Sequence, residues 1–266
     1  MNYLKNRKKI ESMAFDLNKR PNYDYYIISL SEKIIYSLAG IFVLFFIGYT
    51  FYKNIFISMF LAVFGLFLPY FMYPYFVKKR KRELNFQFKD LLYSISSGLS
   101  AGKSPEMTFR EAQQEMKLLY PLPDTDIIKE IGFINAGLAM NETLEKLLYD
   151  FGLRSNDEDI MSFAEVFISC KRTGGNLIEA IRIASNIISD KIEIKREIEV
   201  SLSEKKFEQK AMCVLMIILV LALSYFSGGY MDSMFTTLKG RIIMTLALIL
   251  FIVSYAVGTK IMDIEV

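Results

Sequence analysis

Four long apolar runs, at residues 34–52, 55–77, 211–231 and 242–259, are separated by strongly polar stretches, and none of the four contains Asp, Glu, Lys or Arg. About 20 apolar helical residues cross the ~30 Å of hydrocarbon in a bilayer, so each run is long enough to span one. Only Lys53-Asn54 parts the first two runs. A short polar link ending Thr236-Thr237-Leu238-Lys239-Gly240-Arg241 parts the other two. The pattern predicts two transmembrane hairpins, at 34–77 and 211–259, flanking a polar insert at 78–210, with a polar arm at 1–33 and a short tail at 260–266.

Within the insert the apolar positions recur at helical spacing, and no stretch alternates as a strand does. Leu84, Phe88, Leu91, Leu92, Ile95 and Leu99 share one face of a first helix that stops at Gly102; Ser104 as N-cap and Pro105 at the first helical position open the second. Pro121, Pro123 and Asp124 are expected to open a third helix running to Gly137, and Asn141 to cap a fourth that ends near Gly152. Ser155 with Glu158 reads as a capping box for a fifth, carrying Ile160, Phe163, Ala164, Phe167 and Ile168. Gly174-Gly175 ends that helix, and Asn176 with Glu179 caps a sixth through Leu177, Ile181, Ala184, Ile188 and Ile192. The insert therefore reads as an all-α bundle of six helices.

Between Gly175 and Gly228 there is neither glycine nor proline, so nothing local breaks the chain from the sixth helix into the third span. As one helix rising 1.5 Å per residue, residues 176–227 would extend about 78 Å. A stiff link of this kind suits the transmission of force. A bend at Lys205-Lys206 is the alternative, since helices also curve without glycine or proline.

Composition agrees with a membrane protein: 53% of the 266 residues are hydrophobic and the mean hydropathy is +0.28. The net charge of +3 is too small for a surface that tracks nucleic-acid phosphates. There is no histidine, which removes His-based triads, HExxH zinc sites and proton shuttles together. Cys170 and Cys213 form no CxxC pair. The arm holds Lys5, Arg7, Lys8, Lys9, Lys19, Arg20 and Lys33, and the second span stops at Lys78-Lys79-Arg80-Lys81-Arg82, whereas the two hairpin tips hold only Lys53, Lys239 and Arg241. The positive-inside rule then puts both termini and the insert in the cytosol, with the protein in the cell membrane. The arm lacks the features of a cleavable signal, so it is expected to be retained and to lie on anionic lipid.

Three motifs invite chemistry. Gly98-Leu99-Ser100-Ala101-Gly102-Lys103-Ser104 has one residue too few between its glycines for a P-loop and follows a helix, so it reads as a tight helix-to-helix turn. Arg172-Thr173-Gly174-Gly175-Asn176 also reads as a turn, with at least one glycine expected at positive φ. Asp157, Glu158 and Asp159 open a helix, where carboxylates complement the dipole. The spans hold no Asp, Glu, Lys, Arg or His, which weakens the competing reading of a small four-span transporter or channel with a regulatory insert.

The order Ser97-Gly98-Leu99-Ser100-Ala101-Gly102-Lys103-Ser104, Gly137-Leu138, then Arg172-Thr173-Gly174-Gly175-Asn176-Leu177 before a long charged helix and a third span, all between two hairpins, resembles the type II secretion F-domain proteins. More narrowly it is similar to the TadB-type, or the sister TadC-type, Tad (Flp) pilus assembly proteins. The resemblance covers about residues 34–260, with the F domain at roughly 84–208. It implies a non-enzymatic inner-membrane platform with no cofactor or metal. It also implies, as partners, a hexameric assembly ATPase, prepilin subunits, a sister platform protein or a second copy of the chain, and lipid. Its sites would be partner-contact turns at Gly98, Gly102, Ser104, Arg172, Gly174, Gly175 and Asn176.

Overall fold

The computed structural model describes residues 20–26, 28–122, 125–173, 177–226, 228–229 and 231–262; among them there is no strand, and every extended element is a helix. The chain divides into two compact units, Met1–Ile27 with Tyr73–Ile194, and Ile28–Met72 with Lys195–Val266.

The second unit holds most of the apolar runs. Helix α1 (Leu30–Tyr52) is followed by α2 (Ile55–Val63), a 3₁₀ turn (Phe64–Phe67) and the single turn α3 (Leu68–Phe71). Lys53 stops α1 with a left-handed backbone, and Asn54 starts α2 by accepting from the Phe56 N–H at 2.9 Å, so two residues suffice to reverse the chain. The sequence predicts one helix across residues 55–77, and the structure replaces its middle by 3₁₀ geometry. Proline explains this. Pro69 has no N–H for the carbonyl of Gly65, which instead accepts from Leu68, and Pro74 has none for Tyr70. Gly65 also lets α1 approach: a Cβ there would lie 2.4 Å from the backbone nitrogen of Ile41, while Ser58 is fully buried beside Gly48. Small residues at such a contact are how helices pack where no hydrophobic effect drives them together.

Four helical stretches, Leu30–Tyr52, Ile55–Ser100, Ile178–Phe226 and Leu238–Met262, are long and apolar enough to cross a membrane. At most 22% of their most apolar windows is buried, leaving Phe42, Phe56, Leu215 and Leu250 facing outward. Water would not tolerate that surface, and hydrocarbon would; these are the helices of a multi-pass membrane protein. Toward the end of the chain, Gly228 and Gly229 turn at positive φ into α10 (Asp232–Thr236) and α11 (Leu238–Met262). Lys239 and Arg241 thus belong to the first turn of α11 and not to the link before it. Phe51, Phe235 and Met244 form a small core, with Lys53 over the ring of Phe235 at 5.0 Å and over that of Tyr225 at 5.6 Å.

The first unit is the helical bundle: α4 (Tyr73–Ser100), α5 (Pro105–Leu119), α6 (Asp126–Ala139), α7 (Leu144–Ser155), α8 (Glu158–Thr173) and the start of α9 (Leu177–Phe226). Element α9 is a single helix of 50 residues, as the missing glycine and proline predict. Every apolar position assigned to the first helix is buried, and Phe88 packs edge-on against Phe151 and Phe163, with centroids 6.1 and 5.7 Å away. Burying each such side chain contributes about 1.5–3 kcal/mol, so this face organises the bundle.

Several helix ends differ from the sequence reading. Asn141 stands just past α6 with φ 63° and closes it, since Asn141 N–H donates to Leu138 O and Glu142 N–H to Gly137 O. Thr143 is then the N-cap of α7. Gly152 lies inside α7, where a Cβ would meet the Met161 sulfur at 2.8 Å. Ser155 is the buried last residue of that helix, its hydroxyl donating to Gly152 O, and Asp157 caps α8 in its place. Asparagine readily takes the left-handed conformation that ends a helix, and its capping oxygen gives the same local signal for a start.

Candidate functional site

The turn from α4 to α5 is built as the sequence suggests. Gly102 has φ +78°, Gly102 N–H donates to Leu99 O at 2.9 Å and Lys103 N–H to Gly98 O at 3.2 Å, which satisfies the last carbonyls of α4. Ser104 caps α5, accepting from the Met107 N–H, and Lys103 pairs with Glu111. A Cβ on Gly98 would lie 2.7 Å from the Thr108 methyl, so this glycine sets the spacing of two helices. Arg172 is exposed in the last turn of α8. Gly174, Gly175 and Asn176, and with them the expected positive φ, lie outside the described residues, as do Pro123 and Asp124.

The most elaborate polar assembly is one that the spacing of turns does not reveal. Residues 20–26 of the arm, read from sequence as a lipid-bound basic segment, are threaded into the bundle. Tyr23 is fully buried, and its hydroxyl donates to Glu130 Oε1 at 2.8 Å. Glu130 is also fully buried and takes both guanidinium nitrogens of Arg154, at 2.6 and 2.7 Å. Arg154 spends its other donors on Asp150, at 2.8 Å, and on the carbonyl of Pro21, at 2.8 Å; Arg20 reaches the same Asp150 at 2.9 Å. Outside this group, Arg80 holds Asp126 with two bonds, donates to Tyr25 O at 3.0 Å, and lies 4.8 Å from the centre of the Tyr23 ring. Lys81 pairs with Asp24, and Tyr26 stacks on Phe76.

Burying such charges is costly unless each is matched, and here each is. Desolvation works against the charge on Arg154 and Arg80, but bonds to Glu130 and Asp126 outweigh it and hold both guanidiniums protonated. For Tyr23, burial and the Glu130 carboxylate act together and raise its pKa well above the ordinary value, so the phenol stays a donor. A signal was present in the sequence. Glu130 falls three residues after Ile127 and four before Ile134, on the core face, and Arg154 falls seven after Leu147.

The acidic cluster does more than face a dipole. Asn85 on α4 donates to Asp157 at 3.0 Å and to Asp159 at 3.3 Å, and Lys191 on α9 meets Asp159 at 2.6 Å. Asp159, 3% exposed, therefore ties α8 to α4 and α9.

Among the described residues no group of three or more His, Cys, Asp or Glu could hold a metal ion. The polar groups brought together here donate to and accept from one another, and they join the arm to the bundle. In comparisons with family models, curated proteins and solved structures, nothing matches this chain.

Proposed function

We propose that the protein is a platform in the cell membrane for a Tad or type IV-like pilus, or for a type II secretion-like machine. In this reading the four apolar helices cross the bilayer as two hairpins, with both termini and the bundle in the cytosol. The bundle meets a hexameric assembly ATPase, and the spans guide prepilin subunits out of the bilayer into a filament. The protein itself is not an enzyme. A single observation supports this best: α9 is one helix of 50 residues, beginning as a bundle element and ending as an apolar stretch fit for the membrane. Such a helix has no local hinge at which a push on the bundle would be lost. The arm is anchored to the bundle through Tyr23 and Arg154.

Deleting the gene tests this directly. Loss of surface filaments or of a secreted protein, restored by the full chain and accompanied by co-purification of an assembly ATPase, is the expected result. Normal filaments and secretion in the deletion strain would contradict the proposal.

A further inference from the structure

The outer surface between α4 and α5 carries a groove of about 590 Å³, with Tyr93, Leu118 and Leu119 along it. These side chains are unusually open for a folded bundle: Leu118 is 86% and Tyr93 68% exposed. Asp90 and Glu115 line the same groove. Each accepts only from a neutral hydroxyl, Asp90 from Tyr120 and Glu115 from Ser94, and among the described residues neither has a cationic partner. Tyr93 also borders a second cleft, of about 290 Å³, between α4 and the start of α9. That cleft is lined with serine hydroxyls and no ionisable side chain other than Tyr93, and its Ser185 is 2% exposed with a hydroxyl that has no hydrogen-bond partner.

Taken singly, these features are ordinary. Together they describe one surface, divided by Tyr93, with three unmet demands. Exposed leucines lose free energy to water, two carboxylates lack a counter-charge, and a buried hydroxyl without a partner costs about 1–3 kcal/mol. A single kind of occupant answers all three. We propose that this surface docks a basic, amphipathic segment of a partner protein. Its cation lies beside Asp90 and Glu115 and against the Tyr93 ring, its aliphatic side chains cover Leu118 and Leu119, and an amide or hydroxyl side chain reaches Ser185. Anionic lipid is the wrong occupant, because the carboxylates repel it. The inference holds whether or not the protein serves a filament.

The test uses the full chain in phosphatidylcholine nanodiscs and a fluorescent helical peptide built from Leu, Lys and Gln in an amphipathic repeat, compared with the same peptide carrying Glu for Lys. Anisotropy should show binding of the lysine peptide only. Asp90→Asn/Glu115→Gln, which keeps the hydroxyl acceptors, should lower its affinity about tenfold, and Leu118→Ser should lower it comparably. Ser185→Ala should weaken binding severalfold without lowering the thermal midpoint of the free protein, a combination that a merely structural serine would not give. No binding of the lysine peptide, equal binding by the variants, or tight binding of the glutamate peptide would overturn the proposal. Self-association that these substitutions abolish would assign the surface to a second copy and overturn it equally.

Discussion

Tyr23 and Glu130, 107 residues apart in sequence, are both without solvent exposure, and the phenol donates to the carboxylate at 2.8 Å. Tyr23→Phe removes one of the donors serving a buried anion and is expected to cost about 1–2 kcal/mol. Tyr23→Ala also opens a cavity and should cost about 3–5 kcal/mol, exposing Tyr25 and Tyr26 to chymotrypsin. The sign with pH follows from the raised pKa of Tyr23. Its contribution is fully present below the unfolded value of about 10 and is lost as pH rises above that. Thermal midpoints of wild type and Tyr23→Phe should therefore converge above about pH 10, and a gap that stays constant would argue against the buried phenol.

The Glu130–Arg154 pair predicts strong non-additivity. Arg154→Met leaves the buried Glu130 carboxylate with the Tyr23 hydroxyl alone and should cost about 3–5 kcal/mol, whereas Glu130→Met leaves Arg154 its Asp150 pair and should cost less. The double substitution leaves neither charge behind and should cost clearly less than the sum, by unfolding of the four proteins in one detergent. Additive losses would mean that the two groups do not meet as described.

At the α4–α5 turn the two glycines should fail for different reasons. Gly102→Ala meets no neighbour but must hold positive φ, at a cost of about 1–2 kcal/mol that no second-site change relieves. Gly98→Ala meets the Thr108 methyl, and Thr108→Ser should recover much of its loss. The comparison of midpoints for the single and paired variants separates backbone strain from steric contact.

Asp159 joins three helices, so Asp159→Asn should loosen α9 from the bundle through loss of the Lys191 pair. Hydrogen exchange near Ile188 and Ile192 should rise, while exchange in α6 stays as in wild type. Unchanged exchange would return the cluster to the simple dipole role that its place in the sequence suggests.

What the sequence discloses and what it hides divide along physical lines. Local signals carried well: helical spacing marks Leu84, Phe88, Leu92 and Ile95 as core, the glycine at 102 marks a turn, and the absence of glycine and proline marks α9 as continuous. Pro69 and its missing N–H were visible too, whereas the close approach of Gly65 to α1 is a contact no local pattern records. The arm is the larger omission. Its basic residues match a lipid-facing segment, and only the three-dimensional placement of Glu130, Asp150 and Arg154 turns Tyr23 into an anchor. Capping residues misled for a related reason, since asparagine and serine mark both ends of helices.

The proposed topology puts both hairpin tips outside the cell and the bundle in the cytosol. In intact cells, with Cys170 and Cys213 replaced by alanine, single cysteines at the half-buried Asn54 and at the exposed Thr236 and Leu122 can be labelled with a membrane-impermeant maleimide. Labelling is expected at 54 and 236 without permeabilisation, and at 122 only after it. Labelling at 122 in intact cells, with 54 and 236 protected, would contradict it.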